Sequence, residues 1–251
     1  MIELKSKREI QLIQEAGRIL KKVFSAVKPM IVPGMTTEAL DLAAEKVILG
    51  HGGQPAFKGY RSFPKTACIS INEAVVHGIP DARRLKEGDV VSFDIGVKWN
   101  GFYADAARTW LVGTGDPKKQ ALISAAKDSL DAALVAYEPG WRIGDISETI
   151  QRYVEKQGFQ LVRDYAGHGI GRQLHEDPQV PNYGKSGRGA KIEPGLVLAI
   201  EPMVTEGHYA VETLEDGWTV VTKDRKNASH YEDTIVFIED GFINSTSDEV
   251  F

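Results

Sequence analysis

Residues 90–105, VVSFDIGVKWNGFYAD, constrain the fold of this chain more than any other stretch. Val91, Phe93, Ile95 and Val97 alternate with Ser92, Asp94 and Gly96, the period-two pattern of a strand with one apolar face and, opposite, a carboxylate between small residues. Asn100-Gly101 is the strongest short signal for a two-residue hairpin turn, because both types tolerate positive φ. Such a turn pairs position 94 with 107 and sets Asp105 diagonally opposite Asp94 on the same face. Two carboxylates at that range repel unless a cation lies between them or one keeps a proton. A surface hairpin with two solvated acids fits the same pattern, so the remaining residues decide.

The chain has 251 residues, 42% of them hydrophobic, enough core for one large domain or two fused halves. A net charge of -5 argues against bulk binding to nucleic acid or anionic lipid, and the basic run from Lys5 to Arg8 reads as a solvated helix face. Cys68 is the single cysteine, which excludes a disulfide framework and a cysteine zinc site and fits a reducing cytoplasm. The N-terminus lacks the apolar core of a signal peptide, and no run reaches the ~20 apolar residues of a membrane span. A soluble intracellular protein is expected.

Ser6 to Glu9 reads as a capping box before an amphipathic helix carrying Ile10, Ile13, Gly17, Leu20, Phe24 and Val27. Thr36 or Thr37 caps a second helix that stops near Gly50 to Gly53, and KTACISI reads as a strand. Asp116-Pro117 starts a helix running to about Tyr137. The chain then repeats itself. Pro139-Gly140 and a helix ending at Gly158 mirror Pro33-Gly34 and the second helix, while IEPGLVLAIE (192–201) mirrors LKEGDVVSFD (85–94), at offsets of 106 and 107 residues. Each half thereby delivers a carboxylate, Asp94 or Glu201, six residues after a glycine. The expected architecture is a duplicated α/β unit forming one domain over 1–251, with halves of about 1–113 and 114–251 and a site between them.

Glu201 ends an apolar run and Glu232 begins one, so both acids lie on strands otherwise suited to burial. His168 lies in the glycine-rich AGHGIGRQLHEDPQ, where backbone can approach a ligand closely. Any one of these is an ordinary rim or core residue. Four carboxylates, Asp94, Asp105, Glu201 and Glu232, together with one imidazole on converging elements, are better explained by a two-metal site. Oxygen-rich donors with one histidine suit manganese, iron or cobalt and admit zinc.

TACISINEAVVHGIPD, DIGVKWNGFYADAART, GHGIGRQLHEDPQVPNYG, AIEPM and YEDT, in this order, closely resemble the type I methionine aminopeptidases across essentially the whole chain. The resemblance implies the pita-bread fold: α/β (α+β), pseudo-twofold, with a curved, mainly antiparallel sheet covered by helices. It implies Asp94, Asp105, His168, Glu201 and Glu232 as ligands of two divalent ions, Asp105 and Glu232 bridging both, His168 and Glu201 completing one, Asp94 the other. His77 and His175 resemble the family's non-ligand histidines beside the scissile bond. Tyr60, Phe63, Cys68 and Trp218 would line the methionine pocket. Ala104 stands where the family commonly has glycine and Phe63 where it has tyrosine, which concerns pocket detail and no ligand.

The implied activity is release of N-terminal methionine from new proteins and peptides whose second residue is small. Hydroxide bridging the ions would attack the first peptide bond, with His175 at the oxyanion, Glu201 shuttling a proton and His77 orienting substrate. The partner is the N-terminus of a nascent polypeptide; a monomer is expected, and a ribosome contact is suggested only by the activity. Three rivals share the fold. An X-Pro aminopeptidase or prolidase would need an added N-terminal domain. A binding module, or a creatinase-like hydrolase working without metal, would not need all five ligands.

Overall fold

The computed structural model describes residues 2–247. In the first half, α1 (Lys7–Val27) begins at Ser6, whose hydroxyl accepts from the Glu9 amide while Glu9 Oε2 accepts from the Ser6 amide at 2.7 Å, the expected capping box. α2 (Thr37–Gly50) is capped by Thr36. The strands are β1 (Gln54–Pro55), β2 (Cys68–Ile71), β3 (Ala74–Val76), β4 (Val90–Trp99) and β5 (Phe102–Leu111). Asn100 and Gly101 turn the β4–β5 hairpin with φ of 47° and 87°, as a turn with two left-handed residues requires. Asp94 faces Ala107 and Gly96 faces Asp105 across it, the register expected from sequence.

In the second half, α3 (Pro117–Ala136) starts at Asp116, which accepts from the Lys118 amide at 2.8 Å, and α4 (Ile143–Lys156) follows. Then come β6 (Gln160–Leu161), β7 (Ala166–Gly169), β8 (Glu176–Pro181), β9 (Val197–Ile200), β10 (Met203–Thr205), β11 (Val211–Thr213), β12 (Val220–Thr222), β13 (Ala228–His230), β14 (Asp233–Ile238) and β15 (Gly241–Asn244). Every ladder among the described strands is antiparallel, in sheets ordered β1-β4-β2 with β5 on β4, β15-β14-β9-β7-β8, β13-β10-β6 and β11-β12-β3. This is the mixed helix and antiparallel-sheet architecture expected.

Each half has its own apolar core. α1 and α2 pack Leu20, Val23 and Leu40 on Phe93 and Ile95, while α3 and α4 pack Leu130 and Ile146 on Leu198, Ile235 and Phe237. Fully burying one such side chain stabilises by about 1.5–3 kcal/mol. The sequence repeat has a backbone counterpart. Gly88 and Gly195 both have left-handed φ, 78° and 93°, and their amides donate to Val112 and Phe237 carbonyls alike at 2.8 Å. The bridges Thr36–Arg84 and Arg142–Lys191 stand in the same relation.

Candidate metal centre and substrate pocket

Register brings the acids together. Asp94 lies mid-β4 and Asp105 on β5, diagonal across the hairpin. Glu201 directly follows β9 and Glu232 directly precedes β14. β5 meets the residue before β14 here: Ala107 and Glu232 exchange both backbone hydrogen bonds, at 3.2 and 3.0 Å. His168 on β7 pairs with Ala199 on β9, beside Glu201. Asp94, Asp105, His168 and Glu232 are buried, and the Glu201 side chain is 14% exposed.

The donor set fits divalent cations. Asp94 Oδ1, Asp105 Oδ1 and Glu232 Oε1 are buried with no hydrogen-bond partner, a state that costs several kcal/mol, roughly, unless a cation or proton compensates. One ligand atom each from Asp105, His168 and Glu232 lie within 4.8 Å of one another. His168 Nδ1 is 2.9 Å from the Gly169 carbonyl, so Nδ1 carries the proton and Nε2 presents its lone pair. That nitrogen stands 3.8 Å from Glu201 Oε1, too far for a hydrogen bond. Burial first, and neighbouring carboxylates second, push Asp94, Asp105 and Glu232 above the usual carboxylate range; burial also raises Glu201. The shifts all favour the protonated acids in the absence of a cation, and a bound cation would displace those protons.

Beside this cluster lies a cavity of about 130 Å³ walled by Tyr60, Phe63, Cys68 and Trp218, together with Phe57 and Leu174. Phe63 meets Trp218 edge-on, ring centroids 5.1 Å apart, and Cys68 is the cross-strand partner of Asp94. Ala104 belongs to the first apolar core, so its methyl lies away from the acids. His175 Nδ1 is 2.9 Å from the Tyr60 hydroxyl, with the rings stacked. Burial, with His168, Arg61 and His77 nearby, holds its pKa well below the usual histidine range. His77 takes a left-handed φ of 61° and sets its ring edge-on to Trp218, a backbone state that persists where surroundings over-determine it. Burial pushes its pKa down to about 4. Both imidazoles are therefore uncharged near neutral pH. The site opens into a groove of about 970 Å³ that His77, Asp94, His168, His175 and Glu201 also line.

The model of metallopeptidase family M24 matches residues 11–239. The methionine aminopeptidase of Clostridium perfringens is 49% identical over 241 residues, 96% of this chain and 97% of that protein. The chain belongs to metallopeptidase family M24. Among solved M24 structures, the methionine aminopeptidase of Thermotoga maritima superposes with a TM-score of 0.97 at 42% identity, covering 99% of this chain and 100% of that one. A prolidase from Pyrococcus furiosus shares the fold alone, with a TM-score of 0.79 at 24% identity and coverage of 98% of this chain and 66% of its own. The pita-bread fold is thus shared with both structures, and metal dependence comes with the M24 family.

His230 is absent from the residues the sequence points to, yet its buried ring stands 3.4 Å from Glu201. Strand alternation two residues before Glu232 is the signal that would have found it. Among the described residues no helix is long and apolar enough to cross a membrane.

Proposed function

We propose that this M24 metallopeptidase removes the N-terminal methionine from new polypeptides whose second residue is small. The observation that carries the reading is the union of a buried, unpartnered acid cluster with a 130 Å³ apolar cavity at its side, in a chain whose near-full-length relatives are methionine aminopeptidases. Asp94, Asp105, His168, Glu201 and Glu232 would hold two divalent ions, Asp105 and Glu232 serving both. Bound there, such ions lower the pKa of water toward neutrality and polarise the scissile carbonyl.

The chain's own groups supply the rest. Tyr60, Phe63, Cys68 and Trp218 take the methionine side chain and exclude water from it. With the Tyr60 hydroxyl donating to His175 Nδ1, His175 keeps its proton on Nε2 and donates it to the oxygen of the scissile peptide, where negative charge develops. Glu201 accepts a proton and returns it to the departing amine, a role suited to a carboxyl raised toward neutrality. His77, held at the Trp218 wall, orients the substrate backbone.

We also propose that the two halves act as one domain with the site at their seam. The protein would work in the cytoplasm as a monomer and meet its substrates at the ribosome. The lone buried thiol of Cys68 accords with a reducing compartment. Asp105→Ala or Glu232→Ala tests the site: metal content, read by elemental analysis, and methionine release should be lost together. Full turnover with intact metal content would contradict the assignment.

A further inference from the structure

Glu201 sits between two imidazoles. Its Oε1 faces His168 Nε2 at 3.8 Å, and its Oε2 faces His230 Nε2 at 3.4 Å. The two rings are anchored differently. His168 has a carbonyl for its Nδ1 proton, which leaves Nε2 free as a ligand. His230 is 1% exposed, and neither of its ring nitrogens has a hydrogen-bond partner. Its backbone, by contrast, is clamped: the amide donates to Ser92 Oγ and Thr109 Oγ1, each at 3.2 Å, and the carbonyl accepts from Thr109 Oγ1 at 2.6 Å. The ring thus hangs from a fixed strand and can serve only what lies beside it.

A neutral imidazole has one N–H, and a buried N–H without an acceptor is costly. No acceptor stands at Nδ1, so the proton belongs on Nε2, facing Glu201 Oε2. We propose that His230 is a positioning residue: it donates Nε2–H to Glu201 Oε2 and so aims Oε1 toward the ion shared with His168. This rests on the reading of Glu201 as a ligand. Supporting contacts of this kind orient ligating carboxylates, and their loss typically weakens metal affinity 10–100-fold.

The test titrates metal-free wild type, His230→Ala and His230→Gln with cobalt(II) by calorimetry, counts imidazole ligands in the cobalt-loaded wild type by X-ray absorption, and follows kcat and KM. The glutamine amide offers an N–H donor but no imidazole. His230→Ala should weaken one ion about 10–100-fold and lower kcat with KM nearly unchanged. His230→Gln should restore both toward wild type, and one imidazole should be counted. Wild-type affinity and kcat in His230→Ala would overturn the proposal. So would a glutamine variant that melts normally yet is as impaired as alanine, or a count of two imidazoles, which would make His230 a ligand. If the alanine variant does not fold, the glutamine variant and the imidazole count decide. Peptidase failure alone, with the metal results as expected, would count against the proposed function and not against His230.

Discussion

Asp105 on β5 and Thr234 on β14 hold each other: the Asp105 amide donates to Thr234 Oγ1 at 2.9 Å, and the Thr234 hydroxyl donates to the Asp105 carbonyl at 2.8 Å. One buried hydroxyl therefore satisfies both backbone groups of a candidate bridging ligand. Thr234→Val keeps the shape and removes both bonds, at a cost of about 1–3 kcal/mol. It should lower the thermal midpoint and weaken metal binding in parallel, whereas Thr234→Ser should retain most of both. Calorimetric melts with and without metal check this.

The Tyr60 hydroxyl lies 2.9 Å from His175 Nδ1, and by donating there, as the proposed mechanism requires, it would favour the proton on Nε2. His175→Ala should leave metal bound and reduce kcat about 10²–10³-fold, as loss of one oxyanion donor does. Tyr60→Phe should cost less, because the ring remains and only the tautomer preference is lost. Loss of metal from His175→Ala, seen by elemental analysis, would instead make that residue a ligand.

The raised carboxyls make a signed prediction about pH. Burial, with Glu201 beside it, pushes Asp105 up to about 8 from an ordinary 3.8, and burial pushes Glu201 up to about 7 from 4.5. Across those ranges the folded, metal-free protein holds protons the unfolded chain has released, so stability falls as pH rises. His77, pushed down to about 4, and His230, pushed down to about 3, act oppositely, adding stability that is lost as pH falls below 6.5. Above 6.5 that histidine gain tails off, because the unfolded imidazoles are already more than half deprotonated, while the raised carboxyls go on losing protons up to about pH 8. The metal-free thermal midpoint should therefore fall between about pH 6.5 and 8, and saturating metal should abolish the fall. A metal-free midpoint that rises over the interval would contradict the buried, protonated cluster.

Trp218 closes the pocket against Phe63 and His77. Trp218→Ala should raise KM for methionyl peptides about tenfold or more, since truncating an aromatic anchor of a binding site costs about 2 kcal/mol or more. It should leave metal affinity unchanged. Steady-state kinetics on a Met-Ala-Ser peptide, with a metal titration alongside, separates the two effects.

The local parts of the site were legible in sequence. Asn100-Gly101 dictates the turn, and turn length dictates register, so the Asp94–Asp105 diagonal follows by counting. The capping box at Ser6 and the repeated glycines, Gly88 and Gly195, marked helix and strand starts for equally local reasons. What depends on chain meeting chain was not legible from pattern. The Ala107–Glu232 bridge and the Thr234 clamp join residues more than a hundred positions apart. Short strands such as β6 and β10 to β13 lack a run long enough to show a period. For His230 the sequence offers only its place two residues before Glu232, on the same face by strand alternation, while the Glu201 carboxylate 3.4 Å from its ring comes from the end of a distant strand.

The measurement that bears most directly on the central claim is methionine release from Met-Ala-Ser and Met-Leu-Ser peptides by metal-free protein, with manganese, cobalt, iron or zinc restored in turn. Metal-dependent release from Met-Ala-Ser, with Met-Leu-Ser left intact, is the predicted result. No release with any of the four metals would contradict it.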